Sequence, residues 1–224
     1  MLIFKPIVSE SLHMEVINSI ITAIALGELK PGEKIIEQNI AEQMRISRAP
    51  VREAIRELSA QGIIEYIPRK GATVAALDFS NIAEVYSLRA CLEGMAINLA
   101  VDNITVKDIK ELENLSKKMT KYLEANDVDN FIKCDVEFHN IILMKSCHKR
   151  LQKLLNNLIL QTKLYMLMSK HNLLINSRLD LEYGVHDKII DEIKKKDKIR
   201  AEEEMKKHIF NSGETLVRFL ENKN

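Results

Sequence analysis

The chain has no tryptophan, and only five tyrosines and six phenylalanines among its 224 residues. Four prolines and seven glycines are equally sparse, and beyond Ser80 there is no proline and only Gly94, Gly184 and Gly213. So little turn-forming and aromatic material argues against a β-sandwich and favours helices. Cysteine is scarce too. Cys91, Cys134 and Cys147 lie far apart with no CxxC pairing, which excludes a disulfide framework and reads as reduced thiols of a cytoplasmic protein. The N-terminus lacks a basic stretch followed by an apolar core, so no signal peptide is expected. No apolar run approaches the roughly 20 residues needed to cross a bilayer, so no membrane role is expected. Charge of one sign is missing as well: the formal net charge of +1 does not announce a nucleic-acid partner, although an average over two domains hides any local basic face.

Apolar residues make up 46% and charged residues 29%, enough to bury a core and to set disorder aside. From Leu12 to Leu26 the apolar residues Val16, Ile17, Ile20, Ile21 and Ile24 keep a helical period, with Ser11 placed as N-cap and Gly27 as stop. Pro31-Gly32 marks a turn. Ile40, Ala41 and Met44 predict a short second helix. Ser47 is placed to cap a third, with Pro50 in its first turn, where the missing N–H costs little. Val51, Ile55 and Leu58 form the inward face of that helix. Two β-like runs, Ile63–Ile67 and Ala72–Ala75, flank Pro68-Arg69-Lys70-Gly71 and predict a hairpin. Three helices and a hairpin describe a winged helix-turn-helix. After Leu77 strand signals vanish and helical spacing dominates. The reading is therefore mainly α: a DNA-binding domain over residues 1–76, then an all-α bundle of six or seven helices over 77–224 that binds ligand and dimerises. The run Lys194-Lys195-Lys196 reads as a solvated helix C-terminus.

Arg48, Arg52 and Arg56 recur every four residues, on the face of the third helix opposite Val51, Ile55 and Leu58, and Arg45 lies in the turn before it. A helix anchored on one side and bearing guanidinium groups on the other suits a major groove, where arginine contacts phosphates or pairs with guanine edges. Arg69-Lys70-Gly71 falls at the wing tip. The plainer reading is a solvated face paired with Glu53 and Glu57; the preceding helix, the serine cap and the basic-tipped hairpin favour DNA.

These segments also resemble a known family. Leu29-Lys30-Pro31-Gly32, Ile40-Ala41-Glu42, Ser47 to Ile55, Gly62-Ile63-Ile64 and Lys70 to Val74 resemble, in order, the N-terminal domain of GntR regulators. The resemblance implies that Arg48 and Arg52 contact double-stranded operator DNA, with Ser47 and Ala49 alongside and Lys70-Gly71 at the wing. Two departures stand out. Arg45 occupies a position where family members often have glycine, and Gln38 one where some place a DNA-contacting arginine.

In the second domain, Asp135 and His139 stand four apart on a face shared with Phe131, Phe138 and Ile142. His186 shares a stripe with Ile190 and Ile193, and His208 with Ala201 and Met205. All four polar residues point inward, where an unpaired carboxylate is costly. One solution is a metal ion held from three helices. The other is a set of hydrogen-bonded core histidines with Asp135–His139 as a helix salt bridge. His13, His148 and His171 belong to no such cluster and read as ordinary residues. Arg89 lies on the inward stripe of Ile82, Val85, Tyr86 and Ala96. It either pairs with Glu93 one turn later or meets an anionic ligand bridging it to the metal.

Arg89 to Glu93, Asp135 to His139, His186 and His208 resemble the FCD ligand-binding domain of FadR-type GntR regulators. The resemblance implies Asp135, His139, His186 and His208 as ligands of a divalent metal ion. Zinc stands foremost, with nickel, manganese, iron or cobalt compatible. It implies Arg89 as the contact to a small organic-acid effector that modulates operator binding. A homodimer is expected, since such regulators read two-fold-related half-sites. Two other readings stay open at this point: a metal-dependent enzyme using the three-His/one-Asp site, and a DNA-binding protein with a purely structural metal.

Overall fold

The computed structural model describes residues 10–67, 69, 71–75, 79–176 and 184–221. They fall into two compact units, residues 1–77 and 78–224. In the first, α1 (Glu10–Leu26), α2 (Glu37–Met44) and α3 (Arg48–Ala60) precede an antiparallel hairpin of β1 (Ile64–Ile67) and β2 (Gly71–Val74). Its register runs from Ile64 opposite Val74 to Ile67 opposite Gly71, and a bridge from Lys34 to Thr73 adds a third, minimal edge. Val16, Ile20 and Ile24 of α1 meet Val51, Ile55 and Leu58 of α3 in a core that excludes solvent. The strands each begin one residue from the sequence-predicted runs.

Two expected caps differ from observation. Ser11 lies inside α1, which already includes Glu10. Ser47 does occupy the N-cap of α3 with extended backbone, yet its side chain makes no capping hydrogen bond. Gly27, at φ +76°, ends α1 as expected.

The regular elements among the described residues of the second unit are all helices: α4 (Phe79–Ala100), α5 (Val106–Glu124), α6 (Val128–Lys145), α7 (Lys149–Asn176), α8 (Val185–Lys195) and α9 (Lys198–Glu221). The long α4 and α9 lie against each other along most of their lengths, and two glycines permit the approach. A Cβ on Gly94 would stand 2.6 Å from Lys206 Cε, and one on Gly213 would stand 2.6 Å from Tyr86 Cβ and Cγ. Helix ends are tied by side chains. Thr105 and Asp108 form a reciprocal capping box at the start of α5, and Lys145 Nζ reaches Asp108 Oδ2 at 2.6 Å from the end of α6. Lys196 donates to the carbonyls of Val101 and Ile104 beyond the end of α4. The lysine run is thus more engaged than a solvated terminus: Lys194 pairs with Glu113 and Lys195 with Glu192.

The three histidines read as ordinary do separate things. His13 meets Glu57 at 3.0 Å, and His148 Nδ1 accepts the Leu151 N–H at the start of α7. The side chain of His171 lies outside the described residues. No helix among the described residues is long and apolar enough to cross a membrane.

Candidate metal centre and nucleic-acid interface

On α3, burial of Val51, Ala54, Ile55 and Leu58 leaves Arg48, Arg52 and Arg56 exposed on the opposite side. The arginines do not pair with Glu53 or Glu57. Arg48 Nη2 lies 3.2 Å and Arg52 Nε 3.6 Å from one oxygen of Glu37, in the first turn of α2. Glu37 escaped the sequence reading, because partners eleven and fifteen residues away are set by how α2 crosses α3. Gln38 turns to Glu42 at 2.9 Å. Arg45 adopts the left-handed conformation, φ 54° and ψ 44°, with its N–H closing the end of α2. That conformation costs an ordinary residue about 1–2 kcal/mol and glycine nothing, so glycine is the residue a turn of this shape favours. Ser47 and Ala49 are exposed beside Arg48. At the wing, Arg69 is exposed with φ 68° and Gly71 follows at φ 88°; Lys70 lies outside the described residues.

In the helical unit, α6 supplies Asp135 and His139, α8 supplies His186 and α9 supplies His208. All four are buried, and one donor atom from each lies within 4.8 Å of every other. Asp135 Oδ1 is 3.3 Å from His186 Nε2 and 3.6 Å from His139 Nε2, and His139 Nε2 is 3.4 Å from His208 Nε2. The His139 and His208 rings stack in parallel at 5.4 Å, and the fully buried Phe138 turns an edge-on contact to both His139 and His186.

Four donor atoms about 2.1 Å from one centre stand about 3.4 Å apart in a tetrahedron; these three separations match that spacing, and all four residues offer donors within 4.8 Å of one another. The buried His186 Nε2 faces Asp135 Oδ1 at 3.3 Å without completing a well-formed hydrogen bond. A buried imidazole nitrogen with an incomplete hydrogen bond is costly, and a cation at the centre of the four donors would satisfy it. The residues present therefore fit a divalent metal.

Around the donors stands a charged frame. Arg89 of α4 is buried, with its guanidinium 5.5 Å from the Tyr86 ring. Its Nε and Nη2 each lie 2.7 Å from Glu93 Oε1. Of the two roles read for Arg89, the geometry shows the ion pair. The other oxygen of Glu93, Oε2, lies 2.5 Å from His139 Nδ1.

Burial raises the Asp135 carboxyl, but His139 and His186 outweigh it and hold the acid well below its usual range. Burial likewise opposes ionisation of Glu93, and Arg89 and His139 reverse the sign. Burial lowers His139, yet the carboxylates of Glu93 and Asp135 push it up to about 9. His208 is held well below its ordinary value by burial and by its neighbours His186 and His139. Glu137, two residues from Asp135, is exposed.

Comparison with known proteins gives two family matches. Residues 12–74 match the bacterial regulatory proteins of the gntR family, and residues 84–211 match the FCD domain. A transcriptional regulator of Bacillus subtilis, YdhC, is 28% identical over 213 residues, covering 93% of this chain and 92% of its own. The gluconate operon transcriptional repressor of the same organism is 31% identical over 168 residues, covering 75% of this chain and 67% of its own. Among solved structures, E. coli McbR/YncC superposes with a TM-score of 0.79 at 27% identity, covering 93% of this chain and 98% of that one.

Proposed function

The chain belongs to the GntR family of DNA-binding transcription regulators and carries an FCD domain, and from that premise we propose that it is a metabolite-responsive regulator whose helical unit holds a divalent metal ion. Its relatives are transcription regulators rather than enzymes, so the enzyme reading of the three-His/one-Asp site is withdrawn. The DNA half rests on Arg48 and Arg52, with Arg45, Ser47, Ala49, Arg69, Lys70 and Gly71 flanking them. Held by Glu37 before any DNA arrives, the two guanidinium groups are pre-positioned, and operator phosphates or guanine edges must compete for them.

The observation that carries the metal half is the convergence of Asp135, His139, His186 and His208, all buried, with one donor atom from each within 4.8 Å of the others. A divalent cation there would supply a Lewis-acid centre able to accept an anionic ligand. With the imidazoles neutral, Arg89, Glu93 and Asp135 sum to one negative charge; a divalent cation turns that into one positive charge, buried. A small organic acid relieves the excess, which supports a carboxylate effector. Arg89 already engages Glu93 through Nε and Nη2, so an effector carboxylate meeting Arg89 uses its remaining Nη1 edge or displaces Glu93. The Arg89–Glu93 pair also favours a second reading, in which the metal is structural and no effector binds.

An effector can act only by preferring one arrangement of a dimer over another. The homodimer draws support from α4, whose outer face leaves Leu88, Met95 and Leu99 exposed along one stripe.

The test is selection of bound sequences from a random duplex pool. Anisotropy titrations on the selected duplex then follow, with zinc, with chelator, and with zinc plus a panel of mono-, di- and tricarboxylates. Affinity that one carboxylate changes only when zinc is present supports the sensor. Affinity indifferent to every carboxylate leaves the structural metal. No selected sequence removes the DNA assignment.

A further inference from the structure

Glu93 is 4% exposed, and both of its carboxylate oxygens are engaged by different elements. Oε1 takes Arg89, one turn earlier on α4. Oε2 crosses to α6 and meets His139 Nδ1 at 2.5 Å. The opposite edge of that imidazole, Nε2, faces Asp135 Oδ1 at 3.6 Å and His208 Nε2 at 3.4 Å. An ion pair within α4 would need only one of these contacts; the second reaches a residue of the candidate metal centre from behind.

We propose that Glu93 is a positioning residue of that centre: it accepts the Nδ1 proton of His139, fixing the tautomer whose Nε2 lone pair faces the other three donors, and Arg89 holds Glu93 in place to do so. The inference rests on the metal reading given above. A neutral imidazole has one N–H and one lone pair. A carboxylate can only accept, so placing one at Nδ1 decides where the proton sits and leaves Nε2 free for a cation. Such a partner also makes the ligating nitrogen more basic, and its loss typically costs 10–100-fold in metal affinity. Arg89 contributes at one remove. Its two donors fasten Oε1, so that Oε2 is the oxygen turned to α6.

The competing account is that Glu93 serves only to neutralise Arg89. Two double variants separate them, Arg89→Met with Glu93→Gln and Arg89→Met with Glu93→Leu. Both replace a buried ion pair with uncharged side chains of similar size, which a core tolerates better than one stranded charge. Glutamine keeps a carbonyl oxygen for the His139 N–H, and leucine keeps none. Zinc affinity is read at pH 7.5 by competition with a chromophoric chelator, after circular dichroism has shown each variant folded. The leucine variant should bind about 10–100-fold more weakly than wild type, with the glutamine variant recovering most of that loss. Equal affinities in the two variants would overturn the proposal.

A second measurement needs no change at position 93. Long-range proton–nitrogen correlation on the zinc-loaded wild-type protein, with His139 identified by its loss in His139→Gln, should show Nδ1 protonated and Nε2 metal-bound. The reverse pattern would overturn the proposal whatever the variants do. Wild-type protein that takes up no zinc removes the metal reading itself, an outcome distinct from either.

Discussion

His186 offers the sharpest test of the centre, because it is the sole donor from α8 and the one contact its Nε2 makes, Asp135 Oδ1 at 3.3 Å, is to another of the four donors. With zinc a hundredfold above its dissociation constant, linkage stabilises the folded wild-type protein by about 2.7 kcal/mol. A unit of roughly 150 residues moves its unfolding midpoint by about 2–4 °C per kcal/mol. The zinc-induced rise should therefore be about 5–11 °C. If His186→Ala weakens zinc a hundredfold, the same concentration lies near its dissociation constant, and the stabilisation shrinks to about 0.4 kcal/mol, or about 1 °C. The quantity to compare is the difference between zinc-loaded and chelator-treated melts of each protein, followed by circular dichroism at 222 nm. That difference cancels whatever the smaller side chain costs by itself. His13→Ala, in the other unit and paired with Glu57, should keep the full rise. A wild-type rise under 2 °C, or a full rise in His186→Ala, would refute the assignment of these four residues as ligands.

Five further outcomes are expected. Because the carboxylates of Glu93 and Asp135 overcome the effect of burial and push His139 up to about 9, a cation must displace a proton there. Zinc affinity should thus keep rising about tenfold per pH unit from 6.5 toward 9, whereas a plateau above pH 7 counts against it. In the metal-free protein the same raised value contributes stability that is fully present below pH 6.5 and lost as pH climbs through about 9. The metal-free midpoint should fall across that window, and the fall should vanish in His139→Gln. Gly213→Ala gains at most about 1 kcal/mol of helix propensity but sets a Cβ 2.6 Å from Tyr86 Cβ and Cγ. Forcing α4 from α9 costs about 1–3 kcal/mol, so its chelator-treated midpoint should drop, and an increase would show that the contact relaxes freely. Arg48→Ala should weaken binding to a selected duplex by about 1–3 kcal/mol, read by anisotropy; unchanged affinity would sink the recognition-helix assignment. Met95→Glu with Leu99→Glu should convert a dimer to monomer in sedimentation, and a dimer that persists would place the interface elsewhere.

Much of this protein follows from local spacing. The Val51, Ile55 and Leu58 stripe dictates which side of α3 is buried, and so which side carries Arg48, Arg52 and Arg56, because both faces belong to one helix with a period of 3.6 residues. The same arithmetic turns Asp135, His139, His186, His208 and Arg89 inward, and the loss of proline and turn residues after Ser80 announces a helical unit. Tertiary packing decided what those inward groups meet. Glu93 lies four residues from Arg89, so that contact was legible. Its second contact, to His139, depends on how α4 lies across α6, and nothing in the spacing of either helix encodes it. Glu37 is the parallel case in the other unit, brought to Arg48 and Arg52 by the crossing of α2 and α3. Backbone periodicity determines a side chain's direction from its own helix, because it is a property of one set of dihedral angles. Which oxygen meets which nitrogen is a property of two helices at once, fixed to tenths of an ångström only when their side chains interlock.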